Sequence, residues 1–170
     1  KSEQARLDKL RQNKKKDADM LAAADSQLKD VTSKATALSS HPGLDRIVGW
    51  NSVGGENLDT PDSPASAARS LLREFKSATQ KAGLQLVRQG GGIGSMTEKE
   101  WKVIEGMIAD LDPKPGKAFL QGQIQKVVEA MADLRGNVQR SYDDAYYEVA
   151  NEPSNVSPAT GKPVVPATLA

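Results

Sequence analysis

The sequence predicts an all-α, elongated protein, and three observations support this prediction. Charged residues make up 26% of the 170 positions and aromatic residues only 4%, a composition that favours long helices over a sandwich or a barrel. Apolar residues recur at helical spacing along most of the chain, and clusters of proline and glycine separate the periodic stretches. We therefore expect four segments in order: a coiled-coil-like helix (1–40), a connector (41–63), a helical hairpin plus a long helix (64–150) and an extended tail (151–170).

The first segment carries a heptad pattern. Apolar residues fill eight of the ten a and d positions of five heptads, and Lys14 and Asp17 fill the other two. A single helix cannot bury such a stripe against itself, so we expect an oligomer seam that contacts other chains. The alternative is that the part of the helix before the polar break frays. The main seam residues are Leu7, Leu10, Leu21, Leu28, Val31 and Leu38.

The connector begins with His41-Pro42-Gly43, which is expected to end the first helix. An apolar group follows within it, formed by Leu44, Ile47, Val48 and Trp50. We interpret this group as a pin that holds the connector on the helices. Because tryptophan is enriched at interaction hot spots, an anchor for a partner is the alternative interpretation of Trp50.

A helical hairpin is predicted after the connector. Ser63 is the expected N-cap, with Pro64 at the first helical position, and the helix is expected to run to about residue 88. A glycine run then predicts the hairpin turn, where at least one glycine should adopt positive φ; the turn residues are Gly90, Gly91, Gly92 and Gly94. Thr97 and Glu100 are expected to form a capping box at the start of the next helix.

Charge favours antiparallel packing of the two hairpin helices. Residues 64–89 contain five basic side chains and one acidic side chain, a net charge of +4. Residues 90–112 contain two basic and five acidic side chains, a net charge of −3. A single long helix is then predicted over residues 117–150. The four prolines of the tail, Pro153, Pro158, Pro163 and Pro166, predict an extended segment that becomes ordered by docking on a neighbour.

The residues that support most catalytic and metal sites are scarce. The sequence has no cysteine and one histidine, His41. The glycine run matches neither a P-loop nor a dinucleotide fingerprint, and the acidic pairs at 98/100 and 143/144 are typical of solvated or capping groups. We therefore expect no enzymatic activity, no cofactor and no metal. No apolar run approaches the ~20 residues that span a bilayer, so no stable membrane span is expected.

Four stretches of residues 64–150 occur in a familiar order. They are Ala-Ala-Arg-Ser-Leu-Leu-Arg-Glu-Phe (67–75), Gly-Gly-Gly-Ile (90–93), Met-Thr-Glu-Lys-Glu (96–100) and Val-Glu-Ala-Met-Ala-Asp-Leu (128–134). This order resembles a helical module of tailed-bacteriophage virion proteins, some of which are DNA-transfer (ejection) proteins. The resemblance covers about half of the chain. Here Gly94-Ser95-Met96 precedes Thr97, a longer turn than is usual in that family.

The resemblance implies a non-enzymatic structural component of a phage particle, in the head–tail channel or the tail, that serves assembly and genome ejection. Its partners would be further copies of the chain and other virion proteins, and its location the virion. A host-encoded helical adaptor or tether is the alternative. Nucleic-acid binding is the weaker alternative, because the net charge is only +1 and the Lys14-Lys15-Lys16 cluster is balanced by nearby aspartates.

Overall fold

The structure is a computed structural model that describes residues 2–49, 60–93 and 98–150. These residues form helices and connecting turns without any strand, which confirms the predicted all-α fold. The first helix has 38 residues and is therefore about 57 Å long. The helices are α1 (Ser2–Ser39), α2 (Leu44–Ile47), α3 (Pro64–Ile93), α4 (Glu98–Ala109), α5 (Lys117–Ala145) and α6 (Tyr147–Ala150).

Helix α1 lies antiparallel to α3. The Nζ atom of Lys34 lies 3.5 Å from a carboxylate oxygen of Glu74, and the Gln27 amide donates a hydrogen bond to the Gln85 side chain. Moving towards the N-terminus of α1 therefore means moving towards the C-terminus of α3. Lys34 also pairs with Asp30 on its own helix, at 3.4 Å, so it links two carboxylates.

Helix α1 is also antiparallel to α5. Near one end of the pair, Gln121 Nε2 donates to the backbone carbonyl of Ser39 at 2.8 Å. Further along, the Arg135 guanidinium donates two hydrogen bonds to the Asp25 carboxylate, from Nε at 2.5 Å and from Nη2 at 3.0 Å. The bidentate Arg135 contact holds the pKa of Asp25 below its usual value, although partial burial opposes this shift.

Helix α4 folds back along α3, as the opposite charges of the two segments predict. The Trp101 ring lies against Gly83, and the Lys76 ammonium donates to the backbone carbonyl of Leu111 at 3.2 Å. The hairpin is therefore antiparallel. Its close approach depends on Gly83, since a Cβ atom at that position would lie 1.7 Å from the Trp101 ring.

One apolar core joins helices α1 to α5. Every one of these helices contributes, and the part of α1 that belongs to this core runs from Leu21 to Leu38. The largest fully buried side chains are Phe75, Leu38, Leu44, Ile47, Leu86, Ile108, Leu120, Ile124 and Met131. Burial of this apolar surface is the main stabilising contribution to the bundle.

The prediction that the whole α1 seam contacts other chains is wrong for its C-terminal part. Leu21, Val31 and Leu38 are buried inside the chain, and Leu28 packs against the same core. The physical reason is that α3 and α5 of the same chain provide the apolar faces that cover this part of the seam. Two seam residues before the polar break, Leu7 and Leu10, keep intermediate exposure and lie outside the described core.

The connector is held on the helices as predicted. Leu44 and Ile47 of the short helix α2 are almost fully buried, and Val48 is buried beside them. The Gly49 amide, at φ +62°, donates to the Pro113 carbonyl at 3.0 Å, which ties the connector to the loop between α4 and α5. Trp50, the other apolar residue of the predicted pin, lies outside the described residues.

The interpretation of Gly90, Gly91 and Gly92 as the hairpin turn is wrong, because helix α3 continues through all three and ends at Ile93. Glycine weakens a helix interior by about 1 kcal/mol relative to alanine. It keeps its backbone N–H, however, so unlike proline it does not interrupt the hydrogen-bond ladder. Gly94, the fourth residue of the predicted turn, lies outside the described residues.

Two helix starts were predicted from capping residues. At the start of α3, the Ser66 amide donates to Ser63 Oγ at 3.1 Å, which is the contact that an N-cap serine makes. At the start of α4, Thr97 lies outside the described residues, so the predicted capping box stays a prediction. Glu100 lies in the first turn of α4 and is exposed.

The long C-terminal helix is interrupted near its end. The sequence predicted one helix over residues 117–150, but α5 ends at Ala145 and Tyr146 leaves the helical conformation, at φ −111° and ψ 13°. The short helix α6 then begins at Tyr147. Helix α5 starts after Gly116, whose φ of +126° favours glycine. The predicted extended tail, 151–170, lies outside the described residues.

Candidate functional site

A groove of about 310 Å³ lies between α3, the connector and the loop that joins α4 to α5. We call it the basic groove. Its cations are spaced by four and three residues along α3, which places them on one face of that helix. None of the side chains lining it is acidic. The lining residues are Ile47, Arg69, Leu72, Arg73, Lys76, Leu111 and Pro113.

Hydrogen bonds fix the shape of the basic groove. Lys76 donates across it to the Leu111 carbonyl at 3.2 Å, and the Gly49 amide donates to the Pro113 carbonyl at 3.0 Å. Gln123 bonds a carbonyl and an amide of the α4–α5 loop, at 2.7 Å and 3.1 Å. The groove is thus preorganised. It combines an apolar interior with positive charge, and it suits a ligand group that is apolar with a carboxylate or phosphate beside it.

A second groove, of about 240 Å³, lies between α4 and α5. We call it the acidic groove. Ile104 and Leu134 are buried in its interior, while Glu100 and Asp133 provide carboxylates at its edge. Val103 also lines this groove and is 58% exposed. The two grooves therefore have opposite charge and similar size.

A buried polar cluster connects α1 with the end of α5. Asp17 is 8% exposed, and its carboxylate accepts a hydrogen bond from the Tyr146 hydroxyl. The Tyr142 hydroxyl donates to the backbone carbonyl of Lys14 at 3.3 Å, and the two tyrosine rings lie 4.8 Å apart. Burial, and then the neighbouring Asp17, raise the pKa of Tyr146 well above its usual value. The two tyrosines thus contact α1 at its two polar seam positions, through the Lys14 carbonyl and the Asp17 carboxylate.

We expect the substitution Tyr146→Phe to destabilise the protein by about 1–3 kcal/mol at neutral pH, because the buried Asp17 carboxylate loses its donor.

The raised pKa of Tyr146 also predicts a pH dependence. The stabilising contribution should be complete below the unfolded tyrosine pKa of about 10 and decrease as the pH rises towards the folded pKa. Urea denaturation at several pH values between 8 and 11 tests this. A wild-type protein whose stability falls no more steeply with pH than that of Tyr146→Phe would contradict the assignment.

The structure gives His41 a local role. Its Nδ1 accepts a hydrogen bond from the Gly43 amide at 3.0 Å, within the turn between α1 and α2. In the described part of the chain, no three side chains of His, Asp or Glu come together in a way that could hold a metal ion. None of the described helices is at once long enough and apolar enough to cross a membrane.

Comparisons with known proteins do not identify a relative: no protein-family model, no curated protein and no solved structure matches this chain.

Proposed function

We propose that this chain is a non-enzymatic structural component of a tailed-bacteriophage particle, in the head–tail channel or the tail, where it forms homo-oligomers for assembly and genome ejection. The observation that carries the proposal is the division of the α1 seam. Its C-terminal part builds the core of the chain, whereas Leu7 and Leu10 continue the same stripe outside that core.

The geometry of α1 makes this N-terminal part available to a partner. Because Gln27 pairs with Gln85, the last residue of α3 comes opposite about residue 19 of α1. Residues before this point therefore extend beyond the end of α3, although Tyr142 and Tyr146 still contact α1 at Lys14 and Asp17. They carry Leu7 and Leu10 at the heptad positions that Leu28 and Val31 occupy further on. A seam of this kind stabilises a protein when a second helix covers it.

The phage assignment is supported by the resemblance of the α3–α4 hairpin and α5 to the virion module. The hairpin has the expected antiparallel arrangement, with the Trp101 ring against Gly83. Long helices with an uncovered seam suit proteins that bundle around a symmetric channel. Nucleic-acid binding is less favoured, because the cations of the basic groove surround an apolar interior rather than forming an extended stripe.

Density-purified particles from the source strain, collected after prophage induction, test the proposal. Mass spectrometry should find peptides of this chain in the particles at a fixed multiple of the copy number of a known particle protein. Sedimentation of the purified protein should show association that Leu7→Asp with Leu10→Asp abolishes, while the control Ala23→Asp, at an exposed position of the same helix, retains it. A protein that associates but is absent from particles would be the host adaptor. A strictly monomeric protein would overturn the assembly role.

A further inference from the structure

We propose that the basic groove of one copy binds the Val103 side of the acidic groove of a second copy, so that copies of the chain join head to tail. This inference rests on the proposed self-assembling function and adds a second interface to the α1 seam. The observation that carries it is that the described part of the chain contains two grooves of opposite charge, one edged by Arg69, Arg73 and Lys76 and the other by Glu100 and Asp133.

The basic groove presents apolar surface beside positive charge. Leu72 is only half-buried at its edge, and Arg73 is exposed beside it. Leu84, which is 45% exposed, lies on the same side of α3 as Arg73, about 16 Å further along the helix. This face of α3 therefore offers apolar surface beside positive charge. The surface complementary to it would be an exposed apolar side chain flanked by carboxylates.

Helix α4 carries an exposed apolar side chain of this kind. Val103 is 58% exposed, and Glu100 precedes it by three residues, so the two side chains are neighbours on the helix surface. Asp133 provides a second carboxylate across the acidic groove. A single exposed valine is ordinary in a monomer. Here, however, the exposed valine lies between two carboxylates at the edge of the acidic groove. The acidic groove is opposite in charge to the basic groove of the same chain, which indicates that the two surfaces are complementary.

A second copy is the occupant that the charges favour. Helix α3, the connector and the α4–α5 loop form the basic groove, whereas α4 and α5 form the acidic groove. Each copy therefore presents both halves of the contact, at different places on its surface. Contact between two different surfaces is heterologous, and it leaves a free groove at each end of a pair. Repetition then gives a ring or a filament, the form of assembly that a channel or tail component requires.

Charge reversal tests the contact. Arg73→Glu and Asp133→Lys change exposed side chains in the interiors of α3 and α5, so the fold should be preserved, as circular dichroism can verify. Each substitution should raise the dissociation constant for self-association at least about tenfold, and the double variant should recover most of that loss. The matched controls are Lys81→Glu on α3 and Glu105→Lys on α4, which are exposed positions away from the grooves and should leave association unchanged.

The absence of cysteine from the sequence permits a direct second measurement. Oxidising a mixture of full-length Leu72→Cys and Val103→Cys proteins should give a covalent dimer on a non-reducing gel, whereas Lys81→Cys mixed with Val103→Cys should give none. A protein with both Leu72→Cys and Val103→Cys should give a ladder of covalent oligomers. A dimer without higher species would contradict the head-to-tail arrangement.

The outcomes separate this inference from the proposed function. If the wild-type protein associates through the α1 seam but the reversed charges behave like their controls and no cross-link forms, the groove contact is overturned and the assembly role remains. If the wild-type protein is monomeric at every concentration, both fail. Association that both single reversals weaken, and that the double variant restores, supports the contact.

Discussion

Replacing Leu38 by alanine should lower the free energy of unfolding by about 3–4 kcal/mol. Leu38 is fully buried near the C-terminal end of α1, where the core also contains Leu44 and Phe75. Truncation removes the transfer free energy of the side chain and leaves a cavity in a close-packed region. Urea denaturation followed by circular dichroism at the helix band measures the loss.

The matched substitution is Leu7→Ala, on the same helix and also at a seam position of the heptad pattern. Because Leu7 keeps intermediate exposure outside the described core, we expect the free energy of unfolding of the monomer to change by less than about 1 kcal/mol. Self-association should nevertheless weaken. Equal losses of monomer stability at the two positions would show that the seam is not divided between the core of the chain and an interface.

The substitution Gly83→Ala should destabilise the protein by about 2–3 kcal/mol. A Cβ atom there would lie 1.7 Å and 2.3 Å from two atoms of the Trp101 ring. Trp101 is buried, at 8% exposure, so its ring can move only by disturbing the packing of α4 on α3. Alanine is otherwise preferred to glycine in a helix by about 1 kcal/mol, so it is the clash with Trp101 that makes the substitution destabilising rather than stabilising.

Gly122→Ala is the control for helix propensity. Gly122 is an exposed residue of α5, and a Cβ atom at that position would meet no atom within 4 Å. We therefore expect this substitution to stabilise the protein by about 0.5–1 kcal/mol. Thermal unfolding of the two variants in parallel separates the close approach from the backbone effect. A stabilising Gly83→Ala would show that Trp101 does not pack as described.

The helices could be predicted because their apolar residues repeat every three or four positions, and this spacing is a local property of the sequence. Their ends were harder. The glycine run at 90–92 is a local signal for a turn, but the ladder of α3 continues through it. The break at Tyr146 accompanies its contact with Asp17, 129 residues away, and no local pattern contains that contact.

The candidate site was only partly visible in the sequence. The four- and three-residue spacing of Arg69, Arg73 and Lys76 could have indicated a basic face of α3. The groove beside it needs Ile47 and Leu111, which come from distant segments. The heptad pattern of α1 likewise identifies a stripe that must be covered, but it does not distinguish a helix of the same chain from one of another copy. In the sequence, only the polar break at residues 14 and 17 marks the boundary between the part of the seam that the same chain covers and the part that we propose another copy covers.

The antiparallel packing of α1 against α5 has a consequence for synthesis. The contacts between these helices join residues 82 to 129 positions apart, as Ser39 with Gln121 and Asp17 with Tyr146 illustrate. Closing such long loops slows folding, because chain entropy is lost before the contacts form. A nascent chain emerging N-terminus first therefore carries the α5-facing side of the α1 seam uncovered until α5 has left the ribosome, even after α3 has packed against α1. During this interval the seam is open to other newly made copies or to a chaperone, so the order of synthesis favours association before folding is complete.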